Sequence, residues 1–375
     1  MTFTVPMIDR EDLESLPSPQ LVIFKDRLLA NLDGMIRMAG GPDRLRPHCK
    51  THKMASVIRL WVERGVVKHK AATIAECEML AMAGATDVLF AYNPVGPNLE
   101  RIVRLAVMYP HCQFTVTADS GVPLKALSEA ASSAGVVIGV MLDVNVGMNR
   151  TGITPETPGI VELYSLTGTL PGLRSAGFHV YDGHQRQVSL VDRKAAVASE
   201  WPRVQNLKAC CEAAGATVPK LACGGTPSFP CYAAMTDPAI ELCPGTCVFH
   251  DAGYGMTFPD LPFEPAAWIV TRVVSRPASD RITLDVGNKA VAADPPKGAR
   301  VFFPDLPNAV QDNHSEEHMV LVCTEASKYR HGDTLLAVPV HICPTSALYD
   351  RVPVIVDGHI AEHWDVTSRN RRITV

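Results

Sequence analysis

Between about residue 20 and about residue 250 the chain alternates short apolar or β-branched runs with longer amphipathic ones, the rhythm of βα units laid around a parallel sheet. The strand candidates are "RPHCK", "VVKHKAA", "DVLFAY", "QFTVTA", "VVIGVMLDV", "LRSAGFHVY", "KLACGG" and "IELCPGT". Helical spacing of apolar positions marks Asp26 to Met38, Met54 to Glu63, Ile74 to Met82, Asn98 to Met108 and Pro123 to Ala134, and Gly65, Gly84 and Gly135 stand where helix C-termini are expected. Eight strands are the number that closes a (β/α)8 TIM barrel. An open doubly wound sheet is the alternative, because the count includes "RPHCK" and "KLACGG" as strands.

After "HDAGYGMTFPDLPFEP" the pattern changes. Strand-like runs separated by turn residues take over, among them "AAWIVTRVVS", "RITLDVG", "HMVLVCTE", "DTLLAVPVHICP" and "RVPVIVDG", with no comparable helix between them. The expected division is an α/β barrel over 22–255 followed by a C-terminal antiparallel β domain over 256–375, which residues 1–21 join.

Composition narrows the class of partner. The 375 residues are 47% hydrophobic with a net charge of −4, enough apolar material for a sizeable core and too little net charge for nucleic acid or an anionic membrane surface. No apolar run approaches the roughly 20 residues of a membrane span, and the first residues lack the basic start and apolar stretch of a secretion signal. A cytoplasmic protein with a small-molecule partner is expected. The eleven cysteines are scattered through core-like segments, which suits reduced, buried thiols better than disulfides.

The stretch "LRPHCKTHK" gathers two histidines, an arginine and two lysines within nine residues. Read as a strand, it points Arg46, His48, Lys50 and His52 to one face. A solvated edge strand would also carry such charges. As the first barrel strand, however, it would send Lys50 into the barrel mouth among other cations, and a lysine so placed gives up its proton and attacks carbonyl groups. In the same count the seventh strand runs into "ACGGTPSFP", where Gly224, Gly225 and Thr226 can approach a phosphate, as the loops after barrel strands seven and eight commonly do. A lysine and a phosphate loop across one mouth are what pyridoxal 5'-phosphate requires. Arg150 in "DVNVGMNRTG" and Tyr181 in "FHVYDGHQRQ" end neighbouring strands as candidate cofactor contacts, with Asp182 and His184 as candidate general bases. In the β domain, His341 and Cys343 of "PVHICPT" would share a strand face, a zinc-favouring pair with room for water and substrate. His314, Glu317 and His318 could complete that shell or form an exposed turn.

Taken in order, "RPHCKTHK", "DVNVGMNRTG", "HVYDGHQ", "CGGTPSF", "ELCPGTCVFHDAGY" and "PVHICPT" resemble the metal-activated pyridoxal enzymes of the D-threonine aldolase and D-serine dehydratase family, fold-type III relatives of alanine racemase. The resemblance implies an alanine racemase-like barrel, a homodimer, and Lys50 as the Schiff-base lysine. It implies Gly224, Gly225 and Thr226 at the cofactor phosphate, His48, Arg150, Tyr181 and Tyr254 in the cofactor pocket, and His341 with Cys343 as ligands of zinc or manganese. The expected activity is cleavage of D-3-hydroxy amino acids to glycine and an aldehyde, with His184 as base. Dehydration of D-serine or D-3-hydroxyaspartate is the alternative, and a racemase or a non-catalytic cofactor-binding protein ranks lower.

Overall fold

The computed structural model describes residues 3–375. The chain divides into two compact units, one made of Ile36–Lys50, Ala55–Gly245 and Asn370–Val375, the other of the chain up to Met35, Thr51–Met54 and Thr246–Arg369. Numbered along the chain, strand β1 (Gln20–Phe24) lies in the second unit. Strands β2 (Lys68–Ala71), β3 (Asp87–Phe90), β4 (Gln113–Ala118), β5 (Ile138–Val144), β6 (Leu173–Val180), β7 (Leu221–Cys223) and β8 (Ile240–Leu242) build the first. Strands β9 (Ala267–Ala278), β10 (Arg281–Leu284), β11 (Val301–Phe302), β12 (Val310–His314), β13 (Met319–Val322), β14 (Thr334–Pro339), β15 (Arg351–Val356) and β16 (His359–Asp365) return to the second.

In the barrel unit β2 to β8 pair in sequence order and all in parallel, with helices in the connections. Strand β5 is buried at every position, as a parallel strand covered on both faces must be. Leu89, Met141, Ala176, Ala222 and Cys243 form an interior layer. The connections carry their own stops and starts. The helix Ile74–Met82 begins at Thr73, whose hydroxyl accepts from the Glu76 N–H, while the Glu76 carboxylate accepts from the Ala72 N–H at 2.6 Å. That reciprocal arrangement is a close variant of the capping box.

The expected first strand corrects to something shorter. "RPHCK" is not a strand but two isolated parallel bridges, Leu45 to Leu242 on β8 and His48 to Lys70 on β2, followed by a 3₁₀ turn over Cys49–Thr51. The Arg46 and His48 N–H groups donate to the Leu242 and Pro244 carbonyls, and Lys70 N–H donates to the Pro47 carbonyl. The barrel is therefore an incomplete eight-stranded one, in which Pro47, lacking an N–H, stands in the middle of the closing segment. The alternation inferred for the cationic row holds for Arg46 and His48 and ends at the turn.

Arg46 also departs from expectation. Rather than surrounding Lys50, its guanidinium forms a bidentate pair with Asp87, at the start of β3, with bonds of 2.7 and 2.8 Å, and donates to Glu241 at 2.6 Å. Lys68 donates to the same Glu241 at 2.8 Å, so two cations meet two carboxylates at the N-terminal end of the barrel. Burial works against ionisation of Asp87 and Glu241, but Arg46 and Lys68 outweigh it and hold both carboxyls below their usual range. Arg46→Met, which takes the bidentate partner from Asp87 and leaves Glu241 with Lys68 alone, is expected to destabilise the protein by about 3–5 kcal/mol in denaturant titrations. Carboxyls depressed in the folded state stabilise it above their unfolded values of about 3.9 and 4.3, and that contribution is lost as pH falls through the folded values. The gap between wild type and variant is therefore expected to shrink in acid and to be full at neutral pH.

In the β unit the sheet runs β12-β13-β10-β9-β1-β15-β16, with β14 pairing β9 and β11. Every pairing is antiparallel except that of β1 with β15. Phe3, Val22, Phe24, Trp268, Val270, Leu336, Val338 and Ile355 pack its core. A short helix, Ile342–Ser346, interrupts the all-strand texture expected there. No helix among the described residues is long and apolar enough to cross a membrane. All eleven cysteines are free thiols, Cys210 being exposed and Cys343 half-buried while the rest are buried.

Candidate active site

A cavity of about 210 Å³ opens in the barrel unit, lined by His48, Lys50, Lys70, Ala72, Ala91, Tyr92, Arg150, Thr151, His179 and Tyr181. Most of these lie in the last residues of β2 and β6 or in the segments after β2, β3, β5 and β6, at the C-terminal end of the strands, where barrels carry their chemistry. Lys50 is half-buried on the 3₁₀ turn, and its N–H donates to His48 Nδ1 at 3.3 Å. The Arg150 guanidinium lies 4.7 Å from the centre of the Tyr181 ring, and Lys70 Nζ lies 5.3 Å from it. Of the residues singled out from sequence, His48, Lys50, Arg150 and Tyr181 thus line one cavity.

Beneath them runs a line of ionisable groups that sequence reasoning missed. Lys70 Nζ is 2.6 Å from His179 Nε2, and His179 Nδ1 is 2.6 Å from Asp143 Oδ1. A shifted register in the β5–β6 pairing, at Gly177, sets His179 opposite Asp143. Gly177 has φ +109°, and a Cβ there would overlap the Lys220 carbonyl, so the bulge requires glycine. Burial, joined by the positive charges of Lys50 and Arg150, holds Lys70 below the ordinary lysine range. Burial and the adjacent Lys70 likewise lower His179 and favour its neutral form. For Asp143 burial pulls upward, but His179, Thr151 and Lys70 prevail and keep it ionised.

The glycine loop after β7 lies against Tyr181. A Cβ on Gly225 would stand 3.3 Å from Tyr181 Cε2, and one on Gly224, at φ +72°, would stand 2.7 Å from Ser228 Oγ. Ser228 Oγ accepts from the Gly225 N–H at 3.2 Å and donates to Asp182 Oδ1 at 2.7 Å. Asp182, a candidate base from sequence, is instead a buried pin for this loop, its carboxyl raised by burial. Arg193, fully buried, donates to the Pro227, Gln187 and Val188 carbonyls and ties the loops after β6 and β7 together. Thr226 is buried, its hydroxyl accepting from Gly245 N–H at 3.3 Å. His184 is exposed in the loop after β6 and is not among the cavity's lining residues; its Nε2 accepts from Gln185 Nε2 at 3.1 Å.

The β unit holds the other predicted residues. His341 and Cys343 are not on a strand: β14 ends at Pro339, and His341 immediately precedes the helix Ile342–Ser346, which contains Cys343. The turn nevertheless brings imidazole and thiol into hydrogen-bonding reach. His341 Nδ1 is engaged at 2.5 Å by Asp294 Oδ2, and the Ile342 N–H donates to the buried Asp251 carboxylate at 3.1 Å. Thr51 Oγ1 lies 3.2 Å and Thr246 Oγ1 3.5 Å from Cys343 Sγ. Burial lowers His341, but Cys343 and Asp294 more than compensate and raise it to about 9. Burial opposes ionisation of Cys343, yet His341 and the two hydroxyls hold it below the usual thiol range. Each of the two thus favours the charged form of the other. His314 is committed elsewhere, to Arg300 and the Val286 carbonyl, and Glu317 pairs with Lys289 at 3.7 Å, so neither completes this shell. Tyr254 sits in the first turn of the helix Ala252–Thr257, stacked on Phe258. His52 accepts from the Met54 N–H at 3.0 Å and meets Phe249 edge-on.

A barrel with a lysine at its mouth and an antiparallel β unit define a class before any relative is considered. The alanine racemase N-terminal domain model matches residues 23–251, and the putative serine dehydratase domain model matches 266–355. The chain belongs to the fold-type III family of pyridoxal-phosphate enzymes to which the alanine racemase N-terminal domain and D-threonine aldolase-like proteins belong. It is 28% identical to a D-threonine aldolase of an Arthrobacter species over 364 residues, 96% of this chain and 94% of that one. With a 3-hydroxy-D-aspartate aldolase of Paracoccus denitrificans it shares 27% over 382 residues, 98% and 96% of the two chains. The crystal structure of D-threonine aldolase from Filomicrobium marinum superposes with a TM-score of 0.88 at 30% identity, covering 96% of this chain and 98% of that one.

Proposed function

We propose that this protein is a pyridoxal-phosphate- and divalent-metal-dependent lyase of the D-threonine aldolase type, cleaving D-3-hydroxy amino acids to glycine and an aldehyde. The observation that carries this reading is the cavity that unites Lys50 with His48, Arg150 and Tyr181, in a chain similar to D-threonine aldolases over nearly its whole length. The residues present fit both groups. Lys50 offers a primary amine, Arg150 a permanent cation, and the Gly224–Gly225 turn is packed so closely on Tyr181 and Ser228 that its backbone leaves no space for side chains. For the ion, His341 has its Nδ1 held by a carboxylate, which leaves Nε2 for coordination beside a thiol already inclined to ionise. Zinc and manganese both suit such a site, and the thiolate favours zinc.

When bound, pyridoxal phosphate supplies an aldehyde for imine exchange and an electron sink for a bond at Cα, and the divalent ion supplies Lewis acidity at a hydroxyl. Lys50 would hold the cofactor through its side-chain amine. Arg150 and Tyr181 would orient the ring and the loop of Gly224, Gly225 and Thr226 would seat the phosphate, with Tyr254 carried over as a cofactor-pocket residue from the family resemblance alone. His184, in the loop after β6, is the proposed base for the substrate β-hydroxyl; its Nε2, which accepts from Gln185, would exchange that hydrogen bond for the hydroxyl proton.

A second reading, dehydration of a D-3-hydroxy amino acid, draws on the His-x-Cys pair and on the match of 266–355 to a putative serine dehydratase domain. Product analysis with D-threonine decides between them. The lyase is expected to give glycine and acetaldehyde, whereas 2-oxobutyrate and ammonia would establish the dehydratase instead. Turnover is expected to fall to background on chelation and to return with added zinc or manganese.

A further inference from the structure

The roles above leave one buried constellation in the same cavity unassigned. Lys70 is 4% exposed, His179 3% and Asp143 6%, and Lys70 and His179 reach the cavity wall. Lining up three ionisable groups inside a barrel costs more free energy than an apolar core of the same volume, so their presence asks for a task. Their hydrogen bonds fix the direction of the line. Asp143 accepts from His179 Nδ1–H, so His179 Nε2 is an acceptor, and the Lys70 ammonium donates one of its three N–H groups to it. The other two N–H groups are left for the cavity. The charges and titratable groups facing Lys70 are Lys50 and Arg150, Asp143 on β5, His179 on β6, Cys243 after β8, and the ring of Tyr181. Lys70 is thus an ammonium kept in place by a carboxylate–imidazole pair and disposed by burial and by neighbouring cations to release a proton into the cavity.

We propose that Lys70 is a second catalytic lysine, the donor of the proton that Cα of the bound amino acid takes up, with His179 and Asp143 as its positioning residues; this rests on the lyase reading. When the Cα–Cβ bond breaks, its electron pair stays with Cα and forms a C–H bond with a proton from Lys70 Nζ, which becomes a neutral amine. The proton taken from the β-hydroxyl by His184 passes to solvent, and solvent returns one to Lys70. No net proton, oxidant or reductant is consumed. The reverse transfer removes an α-hydrogen from glycine, which gives a direct measurement.

The test uses the cofactor-loaded protein with glycine in D2O, following α-hydrogen exchange by NMR. Lys70→Met is expected to load cofactor as wild type does but to exchange roughly 10²–10⁴-fold more slowly, with partial recovery on adding methylamine. Lys70→Arg keeps a buried cation that cannot deprotonate, so it guards against misfolding of the methionine variant, and its exchange is expected to be equally slow. The pH midpoint of the cofactor absorbance is expected to rise by about one unit or more in Lys70→Met, since a neighbouring positive charge is removed. Exchange at the wild-type rate in either variant, or an unmoved midpoint, would overturn the proposal alone. Wild-type protein that binds cofactor yet neither exchanges glycine nor cleaves D-threonine would bring down the lyase reading, and the proposal with it.

Discussion

Lys50→Ala is expected to abolish the near-ultraviolet and visible absorbance of added pyridoxal phosphate and to lower turnover roughly 10⁴–10⁶-fold, the scale of losing a covalent catalyst. The magnitude follows from what the cavity offers in its place. Lys70 is the other amine lining it, but its Nζ is anchored on His179 at 2.6 Å at a different point of the wall from Lys50, so it does not substitute. The fold should be indifferent to the change. Lys50 is half-buried, and the local turn is made by its backbone N–H on His48 Nδ1, which alanine retains. A melting temperature close to wild type together with lost absorbance is therefore the expected pair of results. Retained absorbance would show that the amine is supplied elsewhere and would remove the basis of the assigned chemistry.

How much of this was legible in the sequence depends on which physical signal each feature carries. Strands β3 to β6 and the helix Ile74–Met82 follow from hydrophobic periodicity, because burial on defined faces enforces that periodicity along the chain. The segment "RPHCK", Arg46 to Lys50, reads as a full strand because its residues alternate. Barrel closure needs only a few backbone bonds there, and the chain then turns at Cys49 to present Lys50. Lys70 could have been found by the same alternation. In "KHKA" Lys68 and Lys70 share a face, and Lys68 reaches the interior carboxylate Glu241, so Lys70 points inward as well. His179 is likewise two residues before Tyr181. The bulge at Gly177 was not visible, since a single extra residue in a pairing leaves no periodic mark. For His341 and Cys343 the spacing of two was informative while the inferred geometry was not, because a helical turn also brings such residues together. Asp294 lies in an irregular loop, where no pattern could have connected it to a histidine 47 positions later.

That histidine carries the second large effect. His341→Ala is expected to leave cofactor absorbance intact and to reduce turnover on the order of 10³-fold, corresponding to several kcal/mol of Lewis-acid stabilisation of the reacting hydroxyl. Metal content measured after dialysis should fall with activity. Asp294 gives the finer control, since its Oδ2 engages His341 Nδ1 at 2.5 Å and thereby fixes which ring nitrogen is available to an ion. Asp294→Asn preserves size and one hydrogen bond but removes the charge, so metal affinity should weaken roughly 10–100-fold while saturating metal restores most of the turnover. If His341→Ala retained full activity with undiminished metal, coordination would lie elsewhere, and the thiolate–imidazole pair would be only a hydrogen-bonded element of the β unit. If Asp294→Asn instead lost turnover that metal could not restore, the carboxylate would be acting on more than the orientation of the imidazole.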